Sequence, residues 1–312
     1  MTPFVATPVV LFVYNRPIVT AKVFQAIRLA RPQRLFVVAD GARPGRTGDE
    51  ALVNETRRIT EEVDWPCEVV RDYSHDNLGC GRRVSTGMNW VFRQCQEAII
   101  LEDDCVPVPT FFQFCETMLA LFRDDERIMH VAGTNYASTL GPVEHTYFFS
   151  RYYAIWGWAT WRRAWAHYDF TISKWPLNRS LKALDQFFGD AAHRDHHEQR
   201  FDAVREHGLD TWDIQWDHAC IFNHGLAVVP RNNLVTNIGE VGHFSDGKTG
   251  SYRSILFKPA VDIDLATISH PAQVCPDPVM DRRIFEVMAW PARGVAARSL
   301  RRIRRALGQN LL

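Results

Sequence analysis

Three consecutive carboxylates, Glu102-Asp103-Asp104, directly follow the apolar run Ala98-Ile99-Ile100-Leu101. Adjacent acids repel one another, and packing gives no reason to collect them at the end of a strand buried on both faces. Their chemistry is that of a hard-cation site. Oxygen ligands suit Mn2+ or Mg2+, and a dication held by one or two carboxylates completes its shell with water and substrate phosphates. A second group lies at Thr211-Trp212-Asp213-Ile214-Gln215-Trp216-Asp217, where Trp212 and Trp216 share one helical face and Asp213 and Asp217 an adjoining one. A carboxylate beside aromatic rings is partly desolvated, which raises its proton affinity and makes it a stronger general base. Spacing alone leaves Asp213, Asp217 and a plain capping or salt-bridge role open.

Two histidine groups carry weaker signals. His193, His196 and His197 fall in a segment, 180–206, that reads as one helix surrounded by Asp, Arg, Glu and Gln, hence a solvated face and not a metal face. His243 sits in the glycine-punctuated segment Asn232 to Ser245, just after Gly242, where it could reach a metal or a phosphate, or serve structure alone.

The elements that must position these groups alternate. Pro8 to Tyr14 reads as a buried strand, Pro17 to Ala30 as a helix, Arg34 to Ala39 as a strand, 45–59 as a helix and Glu68 to Arg71 as a strand. A helix after Arg83, the strand ending in the acidic triplet, and a helix from Thr110 to Leu121 complete the first half. Strands alternating with helices predict an α/β fold with a mostly parallel, Rossmann-like sheet, whose ligand crevice lies outside the carboxyl ends of the strands. Dinucleotide binding is excluded by the first turn, which reads Asn15-Arg16-Pro17 in place of Gly-x-Gly-x-x-Gly. Beyond Leu121 the pattern changes. Strands are predicted at Ile128 to Gly133, Tyr147 to Ser150 and Leu226 to Pro230, and four of the ten tryptophans crowd into 156–165.

The stretch Ile99 to Phe112 resembles the metal-binding strand end of GT-A nucleotide-sugar glycosyltransferases. It is most like the inverting N-acetylglucosaminyltransferase I type, with family 2-like bacterial enzymes alongside. The resemblance spans about residues 8 to 245 and has no counterpart in the carboxyl-terminal part. It implies that Asp104 binds the divalent cation, Mn2+ or Mg2+, and that Glu102 and Asp103 face the donor sugar and ribose. It also implies donor contacts from Asn15, Arg16 and Asp40, and from Asn77-Leu78-Gly79 with Arg82 and Arg83, where a helix amino terminus favours diphosphate. Trp158 corresponds to part of a sugar floor, and His243 to a closing segment that can supply a metal ligand. The family's general base lies in Trp-Asp-Asp-Trp. Trp212-Asp213 matches its first half and Trp216 falls one residue late, so Asp213 is preferred and Asp217 stays open.

The expectation is a single GT-A domain in which residues 1–104 form the nucleotide-sugar-binding half and 105–250 the acceptor and catalytic half. Residues 251–312 are expected as a carboxyl-terminal extension. Its function would be metal-dependent, inverting transfer of a sugar from a nucleotide diphosphate, UDP-linked by resemblance, to a glycan or glycolipid hydroxyl in surface polysaccharide or glycolipid assembly. A sugar nucleotidyltransferase and a catalytically silent carbohydrate-binding protein are the rival classes. Lys plus Arg and Asp plus Glu are equal at 36 each, so no global field favours nucleic acid. The seven cysteines lack Cys-x-x-Cys and fall mostly in apolar segments, the pattern of reduced thiols, which with the absence of a signal-like amino terminus predicts a cytoplasmic protein. The last turns carry Arg298, Arg301, Arg302 and Arg305 around Leu300, Ile303 and Leu307, an amphipathic basic helix suited to peripheral contact with anionic lipid.

Overall fold

A computed structural model describes residues 4–239 and 258–288. The expected metal-loop residue His243 and the basic tail lie outside the described residues. Strands β1 (Val9–Val13), β2 (Arg34–Ala39), β3 (Glu68–Tyr73) and β4 (Glu97–Glu102) pair in parallel in the order β3-β2-β1-β4. Helices α1 (Pro17–Ala30), α2 (Asp49–Ile59) and α3 (Gly79–Phe92) make the connections.

Side chains alternate across this sheet and are buried on both sides, which is why its strands read as unbroken apolar runs. Val10, Phe12, Phe36, Val38, Ala98 and Ile100 join one core with Val84, Met88 and Val91 of α3. Val9, Leu11, Leu35, Val37, Ile99 and Leu101 join the other with Val23, Phe24 and Ile27 of α1 and with α4 (Pro109–Leu121). The mixed α/β class expected from the sequence is the class observed.

The same sheet continues through the second half of the chain. Strands β6 (Ile128–Ala132), β7 (Tyr147–Ser150), β8 (Trp158–Trp161) and β9 (Leu226–Pro230) extend it in the order β4-β8-β6-β9-β7. β8 runs antiparallel to both β4 and β6, β9 is parallel to β6, and β7 is antiparallel to β9. Six of the eight strands therefore point the same way. Two features depart from expectation. β8 lies within the tryptophan-rich run, where no strand is predicted, and Cys105–Pro107 (β5), just past the acidic triplet, pairs with Val235–Asn237 (β10) although Pro107 brings no backbone N–H to the pairing.

The segment 180–206 is not one helix. Short α5 (Arg162–Trp165) and α6 (Trp175–Ser180) precede a 3-10 turn, Ala183–Gln186, and α7 begins only at Ala191 and runs to Arg205. Asp190 accepts the Ala192 backbone N–H and so starts α7 afresh. Nor is α7 a solvated histidine face. His197 is buried, stacked on Phe188 and Tyr152, and its neighbour His193 lies on the ring of Phe285 at 3.8 Å. That phenylalanine belongs to α9 (Pro278–Met288), which follows α8 (Asp213–Phe222) in our numbering and covers the histidine side of α7.

Candidate active site

The strand order places the site. From β1 the chain moves outward through β2 and β3, then returns to the other flank of β1 to form β4. The loops leaving β1 and β4 diverge at this switch point, the position where open α/β sheets bind ligands. The β1 loop brings Arg16 there and the β4 end brings the acidic triplet. Arg16 Nη1 lies 2.9 Å from Asp104 Oδ2, its Nε donates to Asp103 Oδ2 at 3.2 Å, and its Nη2 pairs with Asp103 Oδ1. The oxygens are not turned to bulk solvent, since the side chains of Asp103 and Asp104 are only 5% and 13% exposed. Arg16 thus pairs with carboxylates in this structure, where the resemblance gave it to the donor nucleotide.

Burial pushes Glu102 up to about 8, with the charges of Asp104 and Asp103 adding to the rise. Burial also raises Asp103, against the pull of the Arg16 guanidinium. At neutral pH Glu102 therefore retains its proton, which relieves repulsion within the triplet.

The second carboxylate group lies close to the first. Asp213 is among the charges that raise Glu102. The Cys80 thiol is raised by burial first and then by Glu102, Asp213, Asp210 and Asp40, which places it among acids from both halves of the chain. Asp213 and Asp217 occupy successive turns of α8 and share one partner that sequence reasoning missed, Arg200 of α7. Its Nη1 pairs with Asp217 and its Nη2 lies 3.3 Å from Asp213 Oδ2. Thr211 donates its hydroxyl to Asp213 Oδ1. The Asp217 side chain is 7% exposed and that of Asp213 27%, so Asp213 is the more accessible of the two. Burial raises Asp217 to about 7, with Arg200 opposing and Asp213 adding to the shift.

Behind α8 stands an aromatic stack. Trp158 of β8 lies 5.5 Å from Trp212 with nearly parallel rings and 5.6 Å from Trp216, and stacks at 5.1 Å on His130. Trp158 is wholly buried, so its expected contact with a donor sugar is replaced by a core role. The half-buried ring beside Gly157 is Trp156, edge-on to Tyr136 at 5.5 Å.

Other expected donor contacts are tied to protein groups. Asn15 donates to Asp49 Oδ1 at 2.6 Å. Asp40 accepts the backbone N–H groups of Leu78 and Gly79 and the Asn77 amide, so these residues fix one another. Buried Arg83 donates to the carbonyls of Ala39 and Asp72, which holds β2 against β3, while Arg82 is exposed with its guanidinium 5.9 Å from the Phe170 ring. The amino terminus of α3, expected to favour diphosphate, receives an internal anion. Asp210 accepts the N–H groups of Cys80 and Gly81 at 3.1 and 2.8 Å. Gly79 has a φ of 78° and a Cβ there would meet that carboxylate, so glycine is required for the approach.

Carboxylate oxygens are the right donors for Mn2+ or Mg2+. Among the described residues no group of three or more His, Cys, Asp or Glu is arranged to hold a metal. A cation bound here would take Asp104 as its protein ligand and complete its shell from substrate and water. Ile238 N–H donates to the Asp104 carbonyl at 2.8 Å, and a Cβ on Gly239 would collide with Asp104 Oδ2, so only a bare α-carbon allows the chain to pass so close. A cavity of about 280 Å3 lined by Arg127, Arg151, Tyr153, Phe187, His224 and Leu226 lies at the amino ends of β6 and β9 and shares no residue with this cluster.

No protein-family model and no curated protein matches this chain. Solved structures with similarity include a mannosyltransferase from Pyrobaculum calidifontis in complex with GDP-Man and Mn2+, at 12% identity over 52% of this chain and 46% of that one, TM-score 0.34. An inositol-1-phosphate CTP transferase from T. maritima is similar at 10% identity over 75% and 89% of the two chains, TM-score 0.41. A UDP-glucose pyrophosphorylase complexed with UDP-glucose has 9% identity over 52% and 78%, TM-score 0.29. This chain spans about half the length of the mannosyltransferase. Glycosyl and nucleotidyl transferases both occur among these neighbours, and likeness of this degree assigns neither activity.

Proposed function

We propose that the chain is a GT-A glycosyltransferase that moves a sugar from a nucleotide diphosphate donor to a hydroxyl acceptor with inversion. The observation that carries this reading is the closeness of the Glu102-Asp103-Asp104 cluster, buried at Asp103 and half-buried at its neighbours, to the Asp213 carboxylate at the sheet's switch point. Even with Glu102 protonated, Asp103, Asp104, Asp210 and Asp213 outnumber Arg16 and Arg200 there, so a diphosphate needs a cation to approach. Asp104 would hold that dication, which supplies charge neutralisation of the departing nucleotide diphosphate when bound.

Asp213 is the general base in this proposal. It is accessible, its Oδ1 is oriented by Thr211, and it would accept the proton of the acceptor hydroxyl as that oxygen attacks the anomeric carbon. The acceptor adds from the face opposite the leaving diphosphate, and no covalent sugar intermediate forms. Asp217 lies beneath, held by Arg200, and is the second candidate for the base. Among the donor contacts, Glu102 in its protonated form would donate to a sugar hydroxyl. Trp156 is the ring with exposed surface that could lie against a sugar.

The test is a panel of UDP-, GDP- and CDP-linked sugars assayed for hydrolysis and transfer with and without Mn2+. Release of nucleoside diphosphate supports the reading. Release of pyrophosphate from a nucleoside triphosphate would replace it with a nucleotidyltransferase, and binding without turnover would leave a carbohydrate-binding protein. Binding to anionic vesicles and the nature of the acceptor are further parts of the proposal, tested by flotation and by acceptor screening.

A further inference from the structure

The guanidinium of Arg16 covers the carboxylate that a cation must reach. We propose that Arg16 is a gate on the cation site, which holds Asp104 in the donor-free protein so that a dication enters together with a diphosphate. The inference rests on the metal-dependent transferase reading above.

Both oxygens of Asp104 are already engaged. Oδ2 takes Arg16 Nη1 at 2.9 Å, while Oδ1 takes Asn237 Nδ2 at 3.3 Å and the Cys105 thiol at 3.4 Å. A dication arriving alone must displace the charge-assisted Nη1 contact of a guanidinium whose fork, Nε and Nη2, is anchored on the neighbouring Asp103. In exchange it finds few further ligands, since the described residues offer no cluster of three suitable side chains. The guanidinium, 38% exposed and partly desolvated, then keeps Asp103 and loses its second anion. A diphosphate resolves both difficulties, because its oxygens complete the cation's shell and its charge gives Arg16 a new partner. Cation and donor then favour each other's binding reciprocally. Asn237 and Gly239 sharpen the effect by crowding both oxygens of Asp104, Asn237 at Oδ1 and Gly239 at the Oδ2 that Arg16 also holds, which limits the angles from which a cation can approach.

The experiment titrates Mn2+ alone into the full chain, reading the free ion by electron paramagnetic resonance. Wild type is compared with Arg16→Met, Arg16→Lys and the double variant Arg16→Met with Asp104→Asn, each checked for folding by circular dichroism. Arg16→Met should bind donor-free Mn2+ at least about tenfold more tightly than wild type, as expected when a competing charge-assisted pair is removed. The gain should vanish in the double variant, and Arg16→Lys, a point charge without the fork, should fall between. Equal donor-free affinity in wild type and Arg16→Met overturns the gate, and should Arg16→Met fail to fold, Arg16→Lys decides the question on the same terms. Titrations repeated with UDP, GDP and CDP test the parent reading separately. Absence of nucleotide binding in every variant would sink the transferase proposal, while the donor-free comparison still decides the role of Arg16.

Discussion

The cleft contains two pairs of carboxylates, each bridged by one arginine, built in opposite ways. Asp103 and Asp104 are neighbours in sequence at a strand end, and their arginine arrives from the β1 loop, 87 and 88 residues away. Asp213 and Asp217 are one helical turn apart, and Arg200 comes from the preceding helix, 13 and 17 residues away. Arg16 is 38% exposed and Arg200 21%, yet the carboxylate nearest each of them is almost wholly buried. The difference teaches that a site's charges can be balanced by an exchangeable partner or by a structural one. The more open Arg16 suits exchange with an incoming cation, and the more enclosed Arg200 suits holding a base in place.

The sharpest way to break this contrast is to remove the base. Asp213→Asn should lower transfer by about a thousandfold while leaving donor binding intact, as read by single-turnover kinetics and calorimetry. Should Asp213→Asn remain active and Asp217→Asn be dead, the two residues exchange roles. At the other pair, Asp104→Ala should cost about a hundredfold in turnover, and unchanged turnover that still requires metal removes Asp104 from the mechanism.

Stability distinguishes the arginines next. Arg200→Met leaves Asp217 buried without its cation and should destabilise the fold by about 3 kcal/mol in urea, whereas the more exposed Arg16→Met should cost about 1 kcal/mol. Equal losses would erase the distinction between structural and exchangeable partners.

The smallest effect is the pH dependence. Glu102 is raised to about 8 and Asp217 to about 7, so between roughly pH 4 and 8 the folded chain binds more protons at these groups than the unfolded chain. Their contribution is present at low pH and lost as pH rises through 7 to 8. Urea midpoints should therefore fall from pH 6.5 to 8.5, and Asp217→Asn should flatten that slope. Below about pH 6.5 the sign reverses for His130 and His196, depressed by burial to about 3 and about 4, since the unfolded chain then takes protons that the folded core refuses.

Much of this was legible beforehand, and unevenly so. The first four strands and their helices announce themselves because a strand buried on both faces is an apolar run of fixed length. The acidic triplet and the aspartates of α8 were visible because each is local, as neighbours or as residues four apart. What was hidden is non-local. Nothing in the spacing of Arg16 or Arg200 tells which carboxylate each will meet, and Asp210 gave no sign that it would fill the amino terminus of α3. Trp158 was read as a sugar contact because the alternation of a short strand, Trp158 to Trp161, is masked when both faces carry large rings. The break between α6 and α7 hides likewise, since only Asp190 and its cap mark it.

The tryptophan stack gives the interior a catalytic consequence. Trp158 sits on β8 opposite Ile100 of β4, two residues before Glu102, while its ring lies on Trp212 and near Trp216 of the helix that bears Asp213. The indoles therefore set the spacing between the β4–β8 strands and α8, and in the proposed transfer a displacement of about 1 Å between acid cluster and Asp213 can cost two orders of magnitude in rate. A smaller ring at Trp158 would leave every polar group of the candidate site chemically intact and still detune the proposed transfer, whose precision would then be set by the width of a hydrocarbon layer.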